Sequence, residues 1–310
     1  MPEHTLSLQS RLWRWLWSRV VALTPTFAAS GNVRAAQKRW LDHAFLPPGV
    51  TRQSVLAGDV PAEWIVPAAD AANGVLLYLH GGAWTIGWNQ AHRWLVGYLV
   101  KATGRRALAV DYRVAPEYPF PAALEDCRTA YHWLLNSGIL PEQVIIAGDS
   151  AGGNLALSTM LSLRDGGEQL PAAAVLLSPA TDLAGMSEQG AVQTDVGLPL
   201  AWAKEQLRLY LGDSDPRQPL VSPYYADLTG LPALLIQVGG DENLLDDVQR
   251  FAPRARAAGV DVTLQVWPGM WHVWQILVPL LAESRQALGA IASFCRQHTG
   301  RASTHDLLQP

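Results

Sequence analysis

Short, apolar, β-prone runs punctuate the chain at Ser54–Leu56, Trp64–Val66, Val75–Leu79, Ala107–Val110, Val144–Ala147, Ala174–Leu177, Leu234–Val238 and Val262–Val266. Their length and turn-like flanks predict strands. Between them, helix-like stretches cover Ala91–Ala102, Ala122–Leu135, Asn154–Leu163, Leu244–Ala258 and Pro279–Cys295. From about residue 74 onward strand and helix alternate, which predicts an α/β domain: a mainly parallel sheet with helices on both faces. Two stretches break the alternation. Residues 1–50 are mostly helical without a strand, and 181–225 form a long excursion with an amphipathic piece around Leu198–Leu211. The expected organisation is therefore cap helices over 1–50, an α/β core over 51–180 and 226–297, an inserted cap segment over 181–225, and a polar tail over 298–310. Such a cap would lie over the carboxyl ends of the strands, where open α/β sheets bind ligands.

The apolar stretch behind Arg11 and Arg14 can mimic a signal peptide ending near Phe27–Ser30. Arg19 and Pro25 interrupt that stretch. Leu12, Trp13, Leu16, Trp17, Val20 and Leu23 instead share one stripe opposite Arg11, Arg14 and Ser18, with Trp15 out of place. This predicts a packed amphipathic helix of a cytoplasmic protein rather than a targeting or membrane-surface segment. No apolar run reaches the length of a membrane span.

Composition narrows the classes. The chain has 310 residues, 49% hydrophobic and 16% charged, enough to bury a core and too apolar for disorder. A net charge of −4 without a Lys/Arg block gives no case for nucleic acid. Cys127 and Cys295 cannot make a disulfide framework and read as small buried thiols in a reducing compartment. No Cys/His spacing suits a metal. The aromatic set is lopsided, with 13 Trp against 8 Tyr and 5 Phe.

The strongest chemical signal is Val144-Ile145-Ile146-Ala147-Gly148-Asp149-Ser150-Ala151-Gly152-Gly153-Asn154, a strand entering G-x-S-x-G and then a helix. A nucleophile elbow needs this arrangement, since small neighbours let backbone approach a serine on a tight turn. Upstream, the strand Leu76–Leu79 ends in His80-Gly81-Gly82-Ala83-Trp84. Glycines there let N–H groups point at a developing oxyanion, together with the N–H of Ala151. His80 is expected to hold this loop by hydrogen bonding rather than act as a base.

These two motifs, with Asp111-Tyr112-Arg113-Val114-Ala115-Pro116-Glu117 and Pro119-Phe120-Pro121-Ala122-Ala123-Leu124-Glu125-Asp126, occur in an order that resembles the hormone-sensitive-lipase-like family of α/β-hydrolases, in its bacterial esterase branch. The resemblance runs from about residue 40 to 297. It implies an eight-stranded hydrolase core with a helical cap, a Ser–acid–His triad, no cofactor and no metal. Ala83 departs from the third glycine of many members. The resemblance places the oxyanion donors at Gly82, Ala83 and Ala151, with Gly81 serving the turn. In this fold the order is serine, acid, histidine. His272 follows the last strand, as the family's histidine loop does. The acid is less plain, because Asp241 and Glu242 both follow a strand. Aligning Leu244 and Asp246 with the family's acid loop favours Glu242, with Asp241 as the alternative. Asp111, Arg113, Glu117 and Asp126 are read as scaffold, and Asp149 as a brace for the elbow.

The expected activity is serine carboxylesterase action on short-to-medium acyl esters, the partner being a small-molecule ester. Lactone or amide hydrolysis on the same triad remains the alternative. A non-catalytic receptor of the same fold would lack a triad member, whereas all three residue types are present. A homodimer through the edge near the last strand is left open. Eleven tryptophans fall in segments expected to border the site or cap, leaving Trp64 and Trp133 to the core. Trp84, Trp88, Trp202 and Trp271 are expected to wall the pocket.

Overall fold

The apolar runs become strands, and the central ones are buried on both faces. The computed structural model describes residues 8–23, 46–68, 74–188 and 195–299. One sheet contains β1 (Val50–Ala57), β2 (Val60–Pro67), β3 (Val75–Leu79), β4 (Arg106–Val110), β5 (Val144–Asp149), β6 (Ala173–Leu177), β7 (Ala233–Gly239) and β8 (Val262–Trp267). Their order is β1-β2-β4-β3-β5-β6-β7-β8. β2 pairs antiparallel with β1 and β4, and the remaining pairs are parallel. Along β3, Val75, Leu77 and Leu79 enter one apolar cluster while Leu76 and Tyr78 enter the other. Side chains alternate between faces along a strand, so a strand covered on both sides must be apolar at every position.

The α-helices are α1 (Leu8–Leu23), α2 (Gln90–Thr103), α3 (Ala122–Asn136), α4 (Ala151–Asp165), α5 (Leu183–Glu188), α6 (Leu200–Leu211), α7 (Leu245–Ala257) and α8 (Ala282–His298), with short 3-10 turns at Pro141–Gln143, Pro223–Tyr225 and Trp274–Leu277. α2 and α8 cover one face of the sheet; α3, α4 and α7 cover the other. α2 starts where the Asn89 side chain accepts from the N–H groups of Ala91 and His92, and stops at Gly104 with φ 69°. The last helix differs from expectation at both ends. It begins at Ala282 rather than Pro279, and it carries His298, which therefore belongs to the helix and not to a tail. Thr299 closes it by donating from Oγ1 to the Cys295 carbonyl at 2.7 Å. Both cysteines are buried and unpaired.

α1 is a helix, but its packed face is rotated from the expected stripe. Trp13 and Trp17 pack on Met270, Trp271, Trp274 and Leu281, while Leu12 is 55% exposed. Buried Ser10 bonds Glu283 at 2.7 Å, and Arg14 turns inward to pair with Asp241 and to reach the Gly269 carbonyl at 3.2 Å. A polar residue can sit on a packed face when it meets partners there. Here a carboxylate and a carbonyl supply them. Trp15 is exposed, as its position off the stripe implied. Trp40, the Phe27–Ser30 segment and the tail beyond Thr299 lie outside the described residues. Among the described residues no helix is long and apolar enough to cross a membrane.

Candidate active site

Ser150 sits at the turn from β5 into α4 with φ 53° and ψ −118°, a conformation L-residues avoid. The turn is tight because the start of α4 lies against the end of β3. A Cβ at Gly152 would collide with the carbonyl oxygens of Leu79 and His80. Only glycine permits that approach, and the result is a serine raised at the carboxyl edge of the parallel strands.

The loop after β8 brings His272 to this serine. His272 Nε2 lies 2.9 Å from Ser150 Oγ, and Nδ1 lies 2.9 Å from Glu242 Oε2. Glu242 follows β7 and is 3% exposed, and its other oxygen accepts from the Gly239 N–H at 2.7 Å. Asp241 points elsewhere: it is paired with Arg14 and its side chain is 33% exposed. Burial raises the Glu242 carboxyl above its ordinary range, although His272 and the Gly239 N–H oppose this. Burial alone would lower His272. The hydrogen bond and charge of Glu242, backed by Asp195 and Asp149, outweigh it and hold the imidazole above 6.5.

The loop after β3 is also strained. Gly82 has φ 113°, Ala83 φ 51° and Trp84 φ 58°. Left-handed backbone at Ala83 explains why a glycine would suit that position. The Gly81 N–H is committed to Asp149 Oδ1 at 2.9 Å, and Tyr78 donates to the same oxygen at 2.5 Å. Asp149 thus ties the elbow to the glycine loop. His80 Nδ1 lies 2.7 Å from the Gly81 carbonyl, and its ring stacks on Tyr112 with centroids 4.1 Å apart. Burial, with the nearby His92, lowers His80 to about 3, so it is neutral and serves the loop. Arg113 likewise braces: it donates through Nε to Asp126 at 3.0 Å and through a terminal nitrogen to Glu125 at 3.1 Å.

The tryptophans divide. Trp84 stacks on Tyr210 of α6 with centroids 4.5 Å apart, and Trp202 stands two turns earlier on that helix. Between them Gln206 accepts from Thr85 at 2.9 Å, which docks the inserted helix on the glycine loop. Trp88 is not a pocket wall as expected: its indole donates to Glu63 at 2.9 Å and lines a separate groove with Ser54, Leu56, Pro61 and Arg93. The expectation for Trp271 is corrected too. It is fully buried in a cluster with Trp274, against which Trp13, Trp17 and Trp267 pack. That cluster fastens α1 to the loop carrying His272. Trp64 and Trp133 sit against the core as a pair, 6.2 Å apart.

Sequence reasoning missed Asp195, whose carboxylate lies beside the Glu242–His272 pair. Asp195-Val196-Gly197 before an amphipathic helix signals an Asx-type turn, not a contact with residue 272. Asp195, Glu242 and His272 form the one cluster among the described residues with metal-ligand spacing, their ligand atoms lying within 4.8 Å of one another. Both imidazole nitrogens of His272 are already engaged by Ser150 and Glu242.

A mostly parallel sheet that lifts a serine on a strand-to-helix elbow, with a histidine from the loop after the last strand, is the architecture of an α/β-hydrolase. Residues 76–276 match the family described as alpha/beta hydrolase fold. An acetyl-hydrolase of Streptomyces hygroscopicus is 46% identical over 257 residues, covering 82% of this chain and 85% of that one. The carboxylesterase/phospholipase LipF of Mycobacterium tuberculosis is 38% identical over 265 residues, covering 83% and 69%. A solved esterase from the bacterial hormone-sensitive lipase family superposes with a TM-score of 0.84 at 40% identity, covering 96% of this chain and all of that one. The chain belongs to the α/β-hydrolase family, among the bacterial hormone-sensitive-lipase-type esterases.

Proposed function

We propose that the protein is a serine carboxylesterase that hydrolyses short-to-medium acyl esters through an acyl-enzyme, with Ser150 as nucleophile, His272 as general base and Glu242 as the acid. The observation that carries this reading is the unbroken chain from Ser150 Oγ through both His272 nitrogens to a buried carboxylate. Ser150 attacks the ester carbonyl while Nε2 takes its proton, and Glu242 keeps the Nδ1 tautomer and offsets the imidazolium charge. The N–H groups of Gly82, Ala83 and Ala151 receive the oxyanion, each contributing about 3 kcal/mol. The imidazolium then protonates the leaving alkoxide, and water activated by the same histidine releases the acid.

The acyl preference is read from the inserted helix. Half-buried Trp202, with Trp84 buried behind it on Tyr210, gives the inserted helix rigid aromatic bulk beside the glycine loop, which favours small acyl groups. The acetyl-hydrolase name of the Streptomyces relative supports the same preference. The test is a series of p-nitrophenyl esters from acetate to palmitate. The expected result is a kcat/KM maximum at two to about six carbons, and a maximum at palmitate would overturn the short-acyl reading.

A pH dependence follows from the raised His272. As pH falls the imidazole takes its proton sooner than an ordinary histidine, and a protonated base cannot accept the Ser150 proton. The acidic limb of the kcat/KM profile for p-nitrophenyl acetate should therefore have its midpoint above 6.5. A midpoint below that value would contradict the Glu242 pairing as the dominant influence.

A further inference from the structure

A second carboxylate reaches both loops of the proposed triad from the inserted segment. Asp195 lies just before α6. Its Oδ1 accepts from the Gly197 N–H at 2.8 Å, the Leu198 N–H at 3.3 Å and the His272 N–H at 3.3 Å. Its Oδ2 accepts from the Asn243 N–H at 2.9 Å, beside Glu242. Asn243 answers by donating from Nδ2 to the Leu198 carbonyl at 2.8 Å. The contact is close-fitted, since a Cβ on Gly197 would stand 2.6 Å from the His272 carbonyl oxygen. One side chain thus ties its own turn, the acid loop and the histidine loop together.

We propose that Asp195 is a positioning residue for ester hydrolysis, holding the Glu242 and His272 loops in register and favouring the imidazolium that forms when Ser150 gives up its proton. The proposal rests on the triad reading above. Three carboxylates act on the His272 imidazole: Glu242 by direct hydrogen bond, and Asp195 and Asp149 through their charge. Asp195 differs from the other two in also accepting the backbone N–H groups of both loops. Rigid support of this kind matters because a misplacement of ~1 Å in the reacting groups costs about 10²-fold in rate.

The test compares Asp195→Asn and Asp195→Glu with the native enzyme on p-nitrophenyl butyrate across pH, with kcat normalised to sites labelled by a fluorophosphonate. The asparagine removes the charge and turns an N–H toward a donor. Its kcat should fall by about 10²-fold with little change in KM, and the acidic limb of kcat/KM should move to lower pH. The glutamate keeps the charge but displaces the hydrogen bonds, so kcat should fall by about tenfold with the limb unmoved. A residue that served the fold alone would lower the melting temperature and leave kcat per labelled site and the limb at native values. That result overturns the proposal. If Asp195→Asn yields only unfolded protein, native kcat per site in Asp195→Glu overturns it equally. An inactive Ser150→Ala beside native-like Asp195 variants would condemn this inference alone, whereas an active Ser150→Ala would remove the triad reading beneath it.

Discussion

Purified Ser150→Ala should lose esterase activity on p-nitrophenyl butyrate by a factor on the order of 10⁴ to 10⁶ in kcat, with KM changed far less. In the proposed mechanism Oγ forms the acyl bond, and no other hydroxyl is within hydrogen-bond contact of the His272 ring among the described residues. What remains should come from the oxyanion donors and from binding alone. Alanine occupies the same backbone, because the elbow is dictated by the close approach of α4 to β3 rather than by the hydroxyl. The variant should accordingly melt within about a degree or two of the native protein, which separates lost chemistry from lost fold. Native-like turnover by a folded Ser150→Ala would sink the nucleophile assignment.

The comparison of Glu242→Gln with Asp241→Asn should show an effect of nearly the same size on one side only. Glu242 accepts from two donors, Gly239 N–H and His272 Nδ1–H, and is buried. A glutamine must turn its NH₂ toward one of them. If that is His272, the ring answers by moving its proton to Nε2, and it can then no longer accept from Ser150. A drop of about 10⁴-fold in kcat is expected, as for other triads with an amide in place of the acid. Asp241 is partly exposed and its partner is Arg14. Such pairs contribute about 1 kcal/mol or less, so Asp241→Asn should change kcat by no more than about fivefold. The reverse outcome would show that the acid loop was read in the wrong register.

Much of this was legible locally. The central strands β3 to β7 were visible as apolar runs because burial on both faces demands it, whereas β1 and β2, at the edge of the sheet, each begin four residues before the run that marked them. The elbow was visible because close backbone approach leaves no choice but glycine beside Ser150. The departures share one cause: the direction in which a helix stripe or a loop residue faces depends on surroundings that no local pattern holds. Arg14 faces inward because Asp241 and Gly269 receive it. Trp271 fills a buried packing site, where bulk is needed, and Trp88 turns to Glu63, which accepts its N–H, and faces a separate groove.

Sequence alone was enough for most strands, the serine elbow and the glycine loop, because each depends on residues within a short stretch, while His272 came from chain order and the family resemblance. Two adjacent carboxylates after β7 were beyond it. Which of them faces His272 depends on how that loop turns against the β8 loop and against α1, and only the folded chain turns Glu242 into the protein and Asp241 out to Arg14. Asp195 lay further out of reach. Its contacts with His272 and Asn243 join segments distant in the chain, and no local pattern encodes a hydrogen bond that exists only after the inserted segment has docked.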